Sequence, residues 1–132
     1  MKSELDFSSK IENITHVEKL VDDLCSQYNL SSEIYGNMMV AVVEAVNNAI
    51  LHGNKLDPEK KVLVRFELKD DILVFKVSDQ GEGFDYKEIP DPTLPENIEK
   101  PHGRGIFLMK HLVDEMDFHN NGCEVELKFR IK

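Results

Sequence analysis

The sequence predicts an α+β fold: a two-layer sandwich in which helices cover one face of a largely antiparallel, mixed β-sheet. Three observations predict it. Several segments alternate apolar and polar residues, as half-buried strands do; two segments carry an apolar stripe at helical spacing; and one helix-like segment is apolar around most of its circumference. A sheet with one apolar face needs a covering layer, which these helices are expected to supply.

Length and charge restrict the class of protein. The chain has 132 residues and a formal net charge of −9, so we expect one domain spanning 1–132. The negative charge argues against binding to nucleic acid or to anionic membranes. Because the N-terminus lacks an apolar signal core and no apolar run approaches membrane-spanning length, a cytoplasmic protein is expected. Cys25 and Cys123 show no metal-binding or redox spacing and are predicted to be reduced core thiols.

Four strands are predicted from the period-two patterns. Leu5 and Phe7 suggest a short edge strand, and residues 62–69 and 72–77 are expected to form a hairpin around Asp70-Asp71. Residues 123–131 alternate most regularly and form the predicted last strand.

Three helices are predicted, over residues 11–28, 38–54 and 106–116. Ser31 and Ser32 are candidate N-caps of the central helix, and Gly53 is expected to end it in the left-handed conformation. Because apolar residues surround the first half of the central helix, we expect it to be buried on every side.

The central helix also carries polar residues that require an explanation. Glu44, Asn48 and His52 follow one another at four-residue spacing and share a face, and Asn47 flanks them. A partly exposed helix with polar residues in water is the simpler interpretation. Two mid-helix asparagines and a carboxylate within an apolar segment nevertheless favour a functional site.

Two glycine signals bracket a loop that is rich in proline and acidic residues, 85–102. The first, Asp79-Gln80-Gly81-Glu82-Gly83, follows a strand; alone, it is also a good β-turn. The second, Gly103-Arg104-Gly105, precedes the third predicted helix and offers backbone N–H groups to an anion, although alone it could be a simple junction.

The three stretches together resemble a known set of motifs. Glu44-x-x-x-Asn48, Asp79-x-Gly81-x-Gly83 and Gly103-x-Gly105 are similar to the N, G1 and G2 boxes of the Bergerat-fold ATPases, in the same order. The runs EAVNNAILHGN and GRGIFLMKHLVDE are most similar to the anti-sigma factor serine/threonine kinases of bacterial partner switching.

The resemblance implies roles for individual residues. Asn48 is expected to bind Mg²⁺ and ATP, Glu44 to orient or deprotonate the attacking hydroxyl, and Asp79 to accept a hydrogen bond from the adenine amino group. Residues 85–102 are expected to form the ATP lid. Lys100, Arg104 and Lys110 are alternative contacts for the phosphates, whereas His52 is expected to be structural, and His16, His111 and His119 ordinary surface residues. The glycines expected to let the backbone pass close to the nucleotide are Gly81, Gly83, Gly103 and Gly105.

The resemblance also implies partners. The first hypothesis is a kinase that phosphorylates an anti-anti-sigma factor and sequesters a sigma factor, and a homodimer is expected from the family. The second is a nucleotide-dependent binding module without kinase activity. A detached histidine-kinase catalytic domain is the third and weakest, because no phosphoacceptor helix pair is recognisable around His16.

Overall fold

The computed structural model describes residues 2–83 and 101–131, and for residues 2 and 101–104 it describes the backbone alone. The strands are β1 (Lys2–Ser8), β2 (Lys61–Lys69), β3 (Ile72–Ser78), β4 (Glu115–His119) and β5 (Glu124–Arg130). They form one five-stranded sheet in the order β1-β2-β3-β5-β4. All four pairings in this part of the chain are antiparallel.

Three helices cover one face of the sheet, which confirms the predicted α+β sandwich. They are α1 (Ile14–Gln27), α2 (Ser32–Asn48) and α3 (Pro101–Leu112), with α2 in contact with both others and with β3 and β5. Phe75, at the centre of β3, lies opposite Phe66 of β2 and Leu127 of β5, and all three side chains are buried. The core therefore lies between the central strands and α2.

The central helix begins earlier than predicted and is buried on one side only. Ser31 caps it by accepting a hydrogen bond from the Ile34 N–H at 3.2 Å, as the sequence suggested. The prediction of burial on every side is wrong, because Val40 is 42% exposed. At 100° per residue, Val40 points away from the buried stripe that faces the sheet. That stripe consists of Met38, Ala41, Val42, Ala45 and Val46.

The end of the central helix also differs from the prediction. After Asn48 the chain continues as a π-helical turn, Ala49–Gly53, and the Asn54 N–H donates to the Ala49 carbonyl at 2.8 Å. Gly53 is not left-handed. The left-handed residues are Lys55 (φ 53°) and Leu56 (φ 61°), and the Leu56 N–H satisfies the Ile50 carbonyl at 2.8 Å.

The predicted third helix, 106–116, is wrong at both ends. Helix α3 begins at Pro101, and the second glycine signal therefore lies inside the helix. Proline is tolerated at the first helical position because the N–H that it lacks would have no intrahelical partner there. The helix ends at Leu112, and Met116 belongs to strand β4, where it pairs with Leu127. The predicted loop 85–102 lies outside the described residues, apart from Pro101 and His102 in the first turn of α3.

The stretch Ser32–Gly53 also corrects the expectation that no apolar run approaches membrane-spanning length. Its 22 residues are long and apolar enough, by length and composition alone, to cross a bilayer. In the fold this stretch is the central helix with its π-turn, packed against α1, α3 and the sheet. An all-round apolar composition is typical of such a core helix as well as of a membrane span.

Candidate functional site

The first two motifs border one cleft, and helix α3, which carries the third, forms part of its wall. The cleft is lined by Asn48 and His52 of the central helix, by Asp79 and Gly83 beyond the end of β3, and by Cys123 before β5. Ile106 and Met109 of α3 form its apolar wall. The cleft therefore offers two polar side chains, Asp79 and Asn48, beside an apolar surface on which a planar ring could stack.

Asp79 is held firmly at the end of β3. Its backbone N–H donates to the Cys123 carbonyl at 2.9 Å, and its Oδ1 accepts from the Gly81 N–H at 2.9 Å. Burial raises the pKa of the Asp79 carboxyl, an effect opposed by hydrogen bonds from the Gly81 N–H and the Cys123 thiol and by the charge of Lys60. A half-buried carboxylate fixed at the polar end of a cleft is well placed to accept a hydrogen bond from a ligand.

Glycine at positions 53 and 81 allows this close packing. A Cβ at Gly53 would overlap the Asp79 carboxylate, and a Cβ at Gly81 would overlap the Gly53 carbonyl. The π-turn and the loop after β3 therefore lie in direct contact. Gly53 is required for this contact rather than for the left-handed cap that the sequence suggested.

Gly83 has a different local reason for being glycine. Its φ is +84°, and a Cβ there would overlap the Asn121 carbonyl. A substitution at Gly83 is strained by both the backbone conformation and the lack of space.

The first turns of α3 pack directly against Glu44 and Asn48. A Cβ at Gly105 would lie 3.0 Å from Glu44 Oε2 and 3.2 Å from Asn48 Nδ2, so only glycine fits without displacing them. The first N–H groups of a helix have no intrahelical partner and attract anions. The first turns of α3 thus lie against the two polar residues of α2, and the helix N–H groups that lack an intrahelical partner come one turn before Gly105.

Asn48 is the side chain in the described residues that most clearly lacks a partner. Its Nδ2 atom is buried without a hydrogen bond, which costs roughly 1–3 kcal/mol in the absence of a ligand. The described residues contain no cluster of three potential His, Cys, Asp or Glu metal ligands. Mg²⁺ commonly binds through one or two protein oxygens together with phosphates and water, so the side-chain oxygen of Asn48 fits an ion shared with a phosphate ligand, while its unpartnered Nδ2 can donate to such a ligand.

The remaining predicted residues are placed only in part. Gly103 and Arg104 lie in the first turn of α3, but the described structure of both is limited to the backbone, and Lys100 lies outside the described residues. Lys110 is exposed near the other end of α3. His52 borders the cleft, and His16, His111 and His119 are exposed, as expected for surface residues.

Comparison with known proteins assigns the chain to a family. A profile of the histidine kinase-like ATPase domain matches residues 7–129. The chain belongs to the histidine kinase-like ATPase family. The match begins within β1 and ends within β5, so the family assignment includes the whole cleft.

The relatives of this chain are named serine-protein kinases and anti-sigma factors. The chain is 31% identical to the serine-protein kinase RsbW of Staphylococcus epidermidis, with 98% of this chain and 86% of that protein covered. It is 31% identical to the anti-sigma F factor of Geobacillus stearothermophilus, with 94% and 88% covered. The fold is similar to the crystal structure of the RsbU and RsbW domains of a Mycobacterium tuberculosis protein, with a TM-score of 0.72 at 18% identity; the match covers 99% of this chain and 32% of that one.

Two features, one in the cleft and one behind the loop that follows β3, were not predicted from the sequence. Cys123, predicted to be a core thiol, is half-buried at the cleft, and its Sγ lies 3.2 Å from the Gly81 carbonyl. Asn54 is buried and accepts a hydrogen bond from the Gln80 N–H at 2.7 Å. Asn54 ends the helix-like run in the sequence, but no local pattern distinguishes a buried network asparagine from an exposed turn asparagine.

Proposed function

We propose that the chain is an ATP-dependent serine/threonine protein kinase and anti-sigma factor. It phosphorylates an anti-anti-sigma factor and sequesters a sigma factor. The observation that supports this proposal is the contact of Gly105 with Glu44 and Asn48, since it brings the first turns of α3 against a carboxylate and against an amide nitrogen without a hydrogen bond. The names of the relatives, serine-protein kinase and anti-sigma factor, support the same activity.

The residues of the cleft have separable tasks in this proposal. Asp79 accepts a hydrogen bond from the adenine amino group, and the ring lies against Ile106 and Met109. Asn48 contributes an oxygen to Mg²⁺, which when bound neutralises phosphate charge in this acidic protein. The glycines at 81, 83, 103 and 105 keep the backbone close to the nucleotide. Lys100 and Arg104 are candidate phosphate contacts.

Glu44 acts on the protein substrate. Its side chain borders a second, open depression, together with Asn47, Gly105 and Leu108, so a serine or threonine hydroxyl can reach it from solvent. There the carboxylate accepts the hydroxyl proton as the oxygen attacks the terminal phosphorus, the bond from that phosphorus to the bridging oxygen breaks, and ADP leaves; this is the usual role of a positioned base in phosphoryl transfer. We further propose a cytoplasmic homodimer, as the resemblance of the sequence motifs implies.

The decisive experiment is incubation with labelled ATP and the product of the neighbouring gene. The expected result is a phosphoserine or phosphothreonine on that partner and binding of a sigma factor by this chain. ATP binding without transfer would instead establish a nucleotide-dependent binding module. Phosphohistidine on this chain would point to a histidine-kinase catalytic domain.

Cys123 provides a chemical test of where the nucleotide binds. Mg-ATP should slow alkylation of Cys123 by N-ethylmaleimide at least severalfold, because the thiol borders the proposed adenine pocket. Burial and the nearby Asp79 carboxylate raise the pKa of the Cys123 thiol, so the labelling should be run above neutral pH. Cys25, which is buried in the core, is the internal control, and mass spectrometry of the two peptides gives both rates. Equal labelling of Cys123 with and without Mg-ATP would place the nucleotide elsewhere.

Gly105→Ala tests the close contact of α3 with the site. The new methyl group must displace Glu44 or Asn48 by a few tenths of an ångström, so transfer should fall roughly tenfold or more. Gly36→Ala is the matched control, because nothing lies within 4 Å of its Cβ. It should stabilise α2 by roughly 0.5–1 kcal/mol and leave transfer unchanged. Steady-state kinetics and thermal denaturation of both variants decide, and a fully active Gly105→Ala would contradict the packing argument.

A further inference from the structure

A buried polar network joins the loop after β3 to the outer edge of the sheet. Its two central residues, Asn54 and Ser9, are each 1% exposed. Burial of polar side chains is costly unless their hydrogen bonds are made, and both of these side chains make theirs. Neither residue belongs to the three motifs that define the nucleotide cleft.

The side-chain amide of Asn54 both accepts and donates hydrogen bonds. Its Oδ1 accepts from the Gln80 N–H at 2.7 Å, and its Nδ2 donates to the Ser9 Oγ at 2.8 Å and to the Lys61 carbonyl at 3.0 Å. The Ser9 hydroxyl in turn donates to the Lys60 carbonyl at 2.7 Å. Asn54 therefore links the π-turn, the residue after β1, the start of β2 and the loop that follows β3.

The consequence is that three successive backbone N–H groups in that loop are fixed. The Asp79 N–H donates to the Cys123 carbonyl at 2.9 Å, the Gln80 N–H to Asn54, and the Gly81 N–H to the Asp79 carboxylate at 2.9 Å. Of these three hydrogen bonds, only the one from the Gln80 N–H is accepted by a buried side chain of another element, that of Asn54. It fixes the peptide plane immediately after Asp79 and so the direction in which the Asp79 side chain leaves the chain.

We infer that Asn54 is a positioning residue for the nucleotide site, acting through the Gln80 backbone on the Asp79 carboxylate. The inference rests on the proposed binding of ATP at Asp79. Asn54 does not line the cleft itself. It affects ATP binding only by orienting the loop that bears Asp79. A substitution at Asn54 should therefore weaken ATP binding less when Asp79 has already been replaced.

The test is a double-mutant cycle on ATP affinity, measured by calorimetry, with Asn54→Ala, Asp79→Asn and both changes together. Asn54→Ala should raise the Kd for ATP roughly five- to tenfold in the parent but less than about twofold in the Asp79→Asn background, because the two residues act as one unit. Equal effects in both backgrounds would make Asn54 a merely structural residue and would overturn the inference.

Ser9→Ala is the matched control. It removes a partner of the same buried network and should lower the melting temperature, but it leaves the Asn54–Gln80 bond in place, so ATP affinity should change less than about twofold. If Ser9→Ala weakens ATP binding as much as Asn54→Ala does, general destabilisation explains both and the inference fails. If Asn54→Ala does not fold, Asn54→Ser, whose shorter side chain does not reach Gln80, enters the same cycle. A folded parent that binds no ATP would refute the proposed function itself, a result distinct from an additive cycle.

Discussion

Glu44→Gln should leave Mg-ATP binding near the parental level and lower phosphoryl transfer roughly 100-fold or more. The substitution keeps the shape of a side chain against which Gly105 is tightly packed, so the cleft should keep its geometry. It removes the group that accepts the hydroxyl proton, and a positioned base contributes about 10²–10⁴-fold to such reactions. Because Glu44 acts mainly in the transition state, the loss should appear in kcat rather than in the affinity for ATP.

Asn48→Ala provides the contrast, one helical turn away. It removes the oxygen that is proposed to contact the metal in the ground state as well as in the transition state, so Mg-ATP affinity and transfer should be lost together. Calorimetry and single-turnover transfer on both variants separate the two cases. Parental transfer by Glu44→Gln would show that Glu44 is not the base. An Asn48→Ala variant with parental Mg-ATP affinity would remove Asn48 from the nucleotide site.

The hairpin in the sheet could be predicted because the alternation of apolar and polar residues along its strands matches the alternation of buried and exposed side chains in the fold. In β2 and β3, side chains alternate between the core and the opposite face, and the Asp70-Asp71 turn between them is tight, so the hairpin followed from the pattern alone. Strand β4 was not predictable in this way. Met116 stands at helical spacing from Leu112 and at strand spacing from Phe118, and five residues are too few to distinguish the two periods.

The motif residues could be picked out from their spacing, but the way they are held together could not. Glu44, Asn48 and Asp79 belong to spaced motifs; the structure places Asn48 and Asp79 in one cleft and Glu44 in a depression that shares Asn48 with it. Gly53 was misassigned because a glycine after a helix is usually a cap, whereas here it makes room for the Asp79 carboxylate. That contact depends on the π-turn, whose extra residue changes the direction of the chain and leaves no recognisable local pattern.

Asp79→Asn should weaken ATP binding and at the same time stabilise the protein. An amide N–H in place of a carboxylate oxygen removes an acceptor from the adenine amino group, and a hydrogen bond to a charged group is worth roughly 1.5–3 kcal/mol. The Kd for ATP should therefore rise roughly ten- to a hundredfold. The remaining amide oxygen can still accept from the Gly81 N–H, so the loop after β3 should keep its conformation.

The stability gain follows from the direction of the pKa shift. Burial raises the pKa of Asp79 above its ordinary value of 3.8, so the folded state holds this proton more tightly than the unfolded state does. Stability contributed by this group is fully present below the unfolded pKa and is lost as pH rises through the folded pKa. Asp79→Asn is neutral throughout. It should therefore melt above the parent at pH 7, and the difference should shrink as pH falls toward 4.

Thermal denaturation of the parent and of Asp79→Asn between pH 4 and pH 7 tests the expected stability gain, and calorimetry with ATP tests the expected loss of affinity. A variant that binds ATP as the parent does would remove Asp79 from the adenine site, and a variant that melts lower at pH 7 than at pH 4, relative to the parent, would reverse the sign of the argument.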